Sequence, residues 1–458
     1  MPSITAYIAI IIWPFLMIWF FSNYPVRKAI LLSMFGSYMF LPVDFEINFP
    51  GIPAFDKFTT TTIALLFTLV FIKKTPIGFR SLRQPHKFFL ILLIVSPIIT
   101  ALNNKDPYLF IQGLNLYDGV SLSASTFLYF FPFLIGYHYF RSFEDHKHLF
   151  KFFAISVLIY AILAVYEIRM SPQLHAVIYG YFPHSWVQQM RGDGFRAVIF
   201  MGHGLSVAMF LAVGIIVVNA LRMCNIKFTP FNNMLLLLLL LIILVMQKSL
   251  LALMMAILGL TIAFLISYKK VHYVSFFIAI IFFSYPLSSS MKIFPHDDLV
   301  NYAAAISTER AESLNFRFIH EENLLNHANQ KPIFGWGGWG RNRIYDHETG
   351  EDYSVTDGDW ILTLGSSGWI GFIAKFYFVF IALFVAYRAC KLERCINKNE
   401  GTLLSAHVLI VAFILLDQMP NASLNHFYIF ICGSLLGRSE QILLERKSEN
   451  LIKTSDVI

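Results

Sequence analysis

The chain has 458 residues, of which 57% are hydrophobic and only 14% charged, with a mean hydropathy of +0.62. A soluble domain carries about 25% charged residues, so this composition excludes an ordinary soluble enzyme and indicates a chain that crosses a membrane repeatedly. The surplus of 35 Lys and Arg over 28 Asp and Glu is not a nucleic-acid signature, because the basic residues lie mostly in short loops, where they set orientation.

Apolar runs of roughly 20 residues suffice to cross about 30 Å of hydrocarbon. Thirteen candidates follow one another: 4–22, 27–43, 58–72, 87–102, 124–140, 149–167, 198–220, 231–246, 249–267, 272–290, 361–387, 403–417 and 424–437. In lipid the backbone must satisfy its own hydrogen bonds, so each is expected to be helical. The fold class is therefore an all-α polytopic membrane protein of ~12–13 transmembrane helices. The first run has no basic start and no small-residue cleavage site, and reads as a retained span. Gln247, Lys248 and Ser249 alone separate two of the runs, which suggests a tight hairpin.

Alternate loops separate by charge. One set contains Arg27 and Lys28, the group from Lys73 to Lys87, the pair Lys269 and Lys270, and the tail after Arg438. The opposite set carries fewer basic residues over longer loops, so the first set is expected on the cytoplasmic side. This divides the chain into a transmembrane core over 1–290 with a short outer loop at 168–197, and a long outer loop at 291–360. The C-terminal spans at 361–437 and an inner tail at 438–458 complete it. Cys224, Cys390 and Cys395 fall on the inner side and Cys432 inside the last span, so no disulfide is expected. No His or Cys spacing suggests a metal site.

The long outer loop is acidic overall, so anion binding there must come from particular arginines and not from the general field. The segment from Ala303 to Ala328 reads as a helix that puts Arg310, Leu314, Arg317, Glu321 and Leu324 on one face. Two guanidinium forks about 10 Å apart along such a helix suit a diphosphate or two acidic sugar groups. Equally, Arg317 can pair with Glu321 one turn on. The run Lys331-Pro-Ile-Phe-Gly-Trp-Gly-Gly-Trp-Gly-Arg341 offers glycines for a tight turn, and Trp336 and Trp339 as flat faces for a sugar or as interfacial anchors. Asp357 and Asp359 stand at the mouth of the next span. There a half-shielded carboxylate serves as a general base or simply caps the helix. Lys375, deeper in that span, calls for a carboxylate partner. In the earlier outer loop, a helix beginning near Phe195 would place Arg196 and His203 on one face, with Arg191 just before it. A packed, satisfied histidine and Asp193-balanced arginines read equally well.

This layout resembles the bacterial O-antigen ligase and polymerase superfamily: many spans, a late outer loop, arginines ahead of the Pro-Ile-Phe-Gly run, and the small-residue stretch Gly365-Ser-Ser-Gly368-Trp-Ile-Gly371. The resemblance is best over 310–375 and weaker over 190–205. It implies a GT-C-like inner-membrane glycosyltransferase acting at the periplasmic face on glycan carried by undecaprenyl diphosphate. Such an enzyme transfers to a glycan or lipid acceptor with inversion, uses no cofactor or metal, and has other polysaccharide-assembly proteins as possible partners. By resemblance, Arg310 and Arg317 match the arginines that engage the diphosphate, and Arg196 matches the basic residue of the earlier loop. Family ligases carry a His-Asn or similar pair before the small-residue span. Here Thr356-Asp357-Gly358-Asp359 stands in that place, which favours a polymerase over a ligase. A transporter of lipid-linked or acidic sugars, or a non-catalytic subunit of an envelope assembly complex, is the alternative from other classes.

Overall fold

Each of the thirteen apolar runs folds as a helix, and the chain is 72% helical with almost no sheet. The computed structural model describes residues 2–49, 53–191, 194–346, 348–355, 357–391 and 397–455. The side chains of Ile306, Arg310 and residues 449–455 fall outside that description. In order the helices are α1 (Ile4–Asn23), α2 (Val26–Phe40), α3 (Lys57–Phe67), α4 (Gln84–Leu102), α5 (Leu116–Tyr139), α6 (Phe143–Met170), α7 (Leu174–Tyr179) and α8 (Gly204–Met223). They continue as α9 (Asn233–Met246), α10 (Leu250–Leu265), α11 (Val271–Ser290), α12 (His296–Ile306), α13 (Thr308–Ala328), α14 (Asp359–Lys391), α15 (Lys398–Asp417) and α16 (His426–Ser455). Among the described residues, nine are long and apolar enough to cross a membrane. The apolar helices Lys57–Ile72, α9 and α10 are shorter, and α2 has 15 residues.

The short hairpin α9–α10 has a visible cause. Its tip residue Gln247 is fully buried, with its side-chain amide donating to the carbonyls of Ala197 and Gly204 at 2.7 and 3.0 Å. The tip is thus drawn inward under the loop that precedes α8. Loops meet in two groups. At one end Arg27 pairs with Asp145 at 3.0 Å and Arg83 with Glu440 at 2.9 Å. At the other, Lys57 donates to Phe200 O at 2.9 Å and Lys331 to Asn104 Oδ1 at 2.7 Å.

Two expected helices end differently. The 303–328 helix is broken at Ser307, whose extended backbone (φ −163°, ψ 128°) separates α12 from α13. Ser and Thr favour helix starts over helix interiors, and Ser307-Thr308 is such a start. The span expected from residue 198 begins only at Gly204. Residues 196–203 stay non-helical, the amides of Ala197 to Phe200 being taken by side chains. The buried Glu167 carboxylate accepts from Val198 N and Ile199 N at 2.7 and 2.8 Å, and Tyr160 Oη accepts from Phe200 N at 3.1 Å. Arg196 and His203 therefore share no helix face.

Helix α14 doubles back. Lys375 Nζ meets Asp359 Oδ1 at 2.7 Å, although the two are 16 positions apart, which a straight helix would spread over about 24 Å. The break is Gly368, with φ 61° and ψ −169°. A Cβ there would lie 2.4 Å from Ile333 O, and one on Gly335 would lie 2.5 Å from the Ser366 backbone. Two bare backbones therefore press together. Trp336 N donates to Gly365 O and Trp369 N to Pro332 O, each at 2.8 Å.

Candidate functional site

The glycine-tryptophan run is held by its own set of buried contacts. Trp336 is 8% exposed, donates its indole N–H to His327 O at 2.8 Å, and stacks on the His327 ring at 4.4 Å. Lys331 Nζ lies 4.6 Å from its ring centroid. Its faces are occupied within the protein. Trp339, by contrast, is 55% exposed. Arg341, which closes the run, is buried and donates to the carbonyls of Trp336, Gln112 and Asp106 at 2.9–3.2 Å, tying the long loop to the loop after α4.

Beside α13 lies a cavity of about 230 Å³. Helix α13 contributes Leu314, Arg317 and Glu321 to it, the chain before α14 contributes Asp357, and the loop after α15 contributes Met419 and Pro420. The expected shared face of Leu314, Arg317 and Glu321 is thus the face turned to the cavity. The Arg310 side chain lies outside the described residues. Arg317 does not pair with Glu321. Its Nε lies 3.7 Å from Asp357 Oδ2, with the two side chains 45% and 47% exposed. An ion pair that open contributes only about 0–1 kcal/mol, so the guanidinium can turn to an incoming anion at little cost.

Glu321 has a different environment. Its Oε1 accepts from Tyr285 Oη at 2.5 Å and Ser289 Oγ at 3.4 Å, and His296 Nε2 stands 3.9 Å away. Burial drives its pKa up to about 7, against the lowering effect of those two hydroxyls. A carboxyl poised between charged and neutral at physiological pH is a common property of acid–base residues. The residue types alone gave no hint of this, because the partner Tyr285 sits 36 positions away on α11.

Asp359 is separate from the cavity. It is buried, donates its backbone N–H to Gln418 O and Asn421 O at 3.0 and 3.1 Å, and accepts at Oδ1 from Lys375 Nζ. Lys375 also reaches Thr363 Oγ1 at 3.2 Å. This pair adjoins a second cavity of about 290 Å³ between α4, α5 and α14, where Ser96, Ser125, Thr126 and Ser367 contribute hydroxyls.

The loop between α6 and α8 forms its own group. Arg191 lies on the two-residue strand β1 (Met190–Arg191), which pairs antiparallel with β2 (Gly194–Phe195), and is exposed. Arg196 is buried, donates to Lys248 O at 2.8 Å, and has its pKa held down to about 10 by burial and then by Arg191. His203 caps α8, its Nδ1 accepting from Leu205 N at 3.0 Å. Burial, then His184 and the two arginines, hold its pKa down to about 4. The ring is therefore neutral at physiological pH. No described contact joins this group to Arg317. The loop from Gln418 to Asn425 runs beside the Arg317 cavity. Met419 borders the Arg317 cavity, and His426 just beyond stacks on Phe58 at 4.6 Å, beside Lys57.

A family model described as O-Antigen ligase matches residues 233–376, a stretch that contains the cavity-lining part of α13, the glycine-tryptophan run and the break in α14. No curated protein matches the chain.

Proposed function

We propose that this member of the O-antigen ligase and polymerase superfamily is a glycosyltransferase of the bacterial inner membrane, extending a glycan carried on undecaprenyl diphosphate at the periplasmic face. The observation that carries the reading is Arg317 beside Asp357 on the wall of one cavity, both within the residues matched by the family model. The guanidinium fork meets the diphosphate oxygens as negative charge builds on the leaving group, which is electrostatic transition-state stabilisation. The acceptor hydroxyl attacks the anomeric carbon in one displacement, with inversion. A carboxylate takes the hydroxyl proton. Of the two aspartates expected to do so, Asp357 borders this cavity and Asp359 is engaged by Lys375. The exposed Trp339 offers a face for a sugar, and Arg191 a further cation for the donor. Arg196 and His203 act by fixing the loop that carries Arg191.

In a strain lacking the gene, Arg317→Ala and Asp357→Asn chains present at wild-type level should leave short glycans and accumulate single-unit carrier at the outer face. Wild-type glycan from both variants would remove the site. A transporter reading draws on one observation, the broken α14 with its buried Asp359–Lys375 pair. That reading requires the carrier to accumulate on the inner face instead.

A further inference from the structure

We infer that Glu321 is the catalytic proton acceptor of the transfer, with Asp357 serving to hold Arg317. This rests on the function proposed above and assigns a step within it. Both carboxylates border one cavity, but their partners differ. Asp357 faces a guanidinium, so a proton arriving there would cancel the charge that positions Arg317 at the moment the leaving group needs it. Among the described residues, no cation lies within hydrogen-bond distance of Glu321. Its described contacts, from Tyr285, Ser289 and His296, all fall on Oε1, and none falls on Oε2. The carboxyl is therefore fixed in orientation by one oxygen and keeps the other for a substrate hydroxyl.

The charged and titratable groups around it are Tyr285 on α11, His296 on α12, Arg317, His320 and Glu322 on α13, and Asp357 on the chain before α14. Glu322 is turned to Lys292 at 3.0 Å. Burial keeps the His296 ring below its ordinary range, so it adds no positive charge at neutral pH. In the step, the acceptor O–H proton passes to Glu321 while its oxygen forms the bond to the anomeric carbon. The bond from that carbon to the phosphate oxygen breaks, and its electron pair leaves with the diphosphate beside Arg317. Water then takes the proton from Glu321 and resets the site.

The test uses the full-length chain in detergent, with lipid-linked glycan extracted from the gene-deleted strain as donor. The wild-type initial rate should rise about tenfold between pH 6 and pH 8, following ionisation of a group near 7. Glu321→Gln should lose about 10²–10³ of the rate and the pH step with it. Asp357→Asn should be slow yet keep the step. Tyr285→Phe, which removes a donor to the ionised carboxylate, should move the midpoint to higher pH, an effect a merely structural residue would not produce. Glu321→Gln with wild-type rate, or with the same pH step, overturns the assignment. If Arg317→Ala is impaired in that outcome, the site stands and only this step is reassigned. If Arg317→Ala is also wild-type, the proposed function itself fails.

Discussion

Arg317 is useful to the chain because of its shape as much as its charge. A guanidinium presents a planar fork to two phosphate oxygens, whereas an ammonium is a point charge on a flexible stem. Arg317→Lys should therefore recover only part of the activity lost in Arg317→Ala, visible as glycans of intermediate length in the complemented strain. Glu321 predicts a stability effect with a definite sign. Its folded-state value of about 7 lies above the unfolded value of about 4.3. The folded chain thus binds a proton that the unfolded chain releases. That contribution is complete below about pH 4.3 and is lost as pH rises through 7. Thermal unfolding of the wild type against Glu321→Gln, at pH 5.5 and pH 8, should show the variant gaining relative stability at the higher pH. The buried pair follows another rule: removing one partner strands a charge, at about 3–5 kcal/mol. Lys375→Met and Asp359→Asn should each lower the folded yield, and the double substitution should recover part of the loss.

At the level of elements, the crossing of the Gly-Trp run with the break in α14 is the part most exposed to damage. Gly368 holds a positive φ against a carbonyl that leaves no room for a methyl group, so Gly368→Ala should abolish the folded chain and not merely slow it. Trp336→Ala should cost about 3–5 kcal/mol as a buried aromatic truncation. Trp339→Ala should leave stability intact and affect only glycan handling, read from yield and glycan length together. The glycines announced a tight turn in the sequence, and the turn exists. Its purpose was illegible there, because the partner backbone at Ser366 lies 30 residues on and nothing in local spacing names it. The same limit explains residues 196–203. Hydropathy extends a helix into them, while Glu167, a lone acid inside an apolar run, takes their amides from another helix. A buried acid in a span was the signal available. The break at Ser307 was missed because α12 and α13 have continuous helical composition across a single extended residue.

For the whole molecule, the spans were the most legible feature, since they depend on run length, which sequence carries directly. The site was half legible. Spacing brought Leu314, Arg317 and Glu321 to one face, but the far walls come from Asp357, Met419 and Pro420, which only the packing of α13, α14 and α15 assembles. Sidedness makes its own prediction: a cysteine introduced at the exposed Glu348 should react with a membrane-impermeant maleimide applied from outside intact, outer-membrane-permeabilised cells. The measurement that bears most directly on the central claim is chemical occlusion of the cavity. Val355→Cys places a thiol on its wall, and a charged methanethiosulfonate should then stop glycan transfer in that chain, with the parent chain unaffected and the lipid-linked donor protecting the thiol. Unchanged transfer after complete modification, or no protection by donor, would contradict the assignment of this cavity as the place where the sugar changes hands.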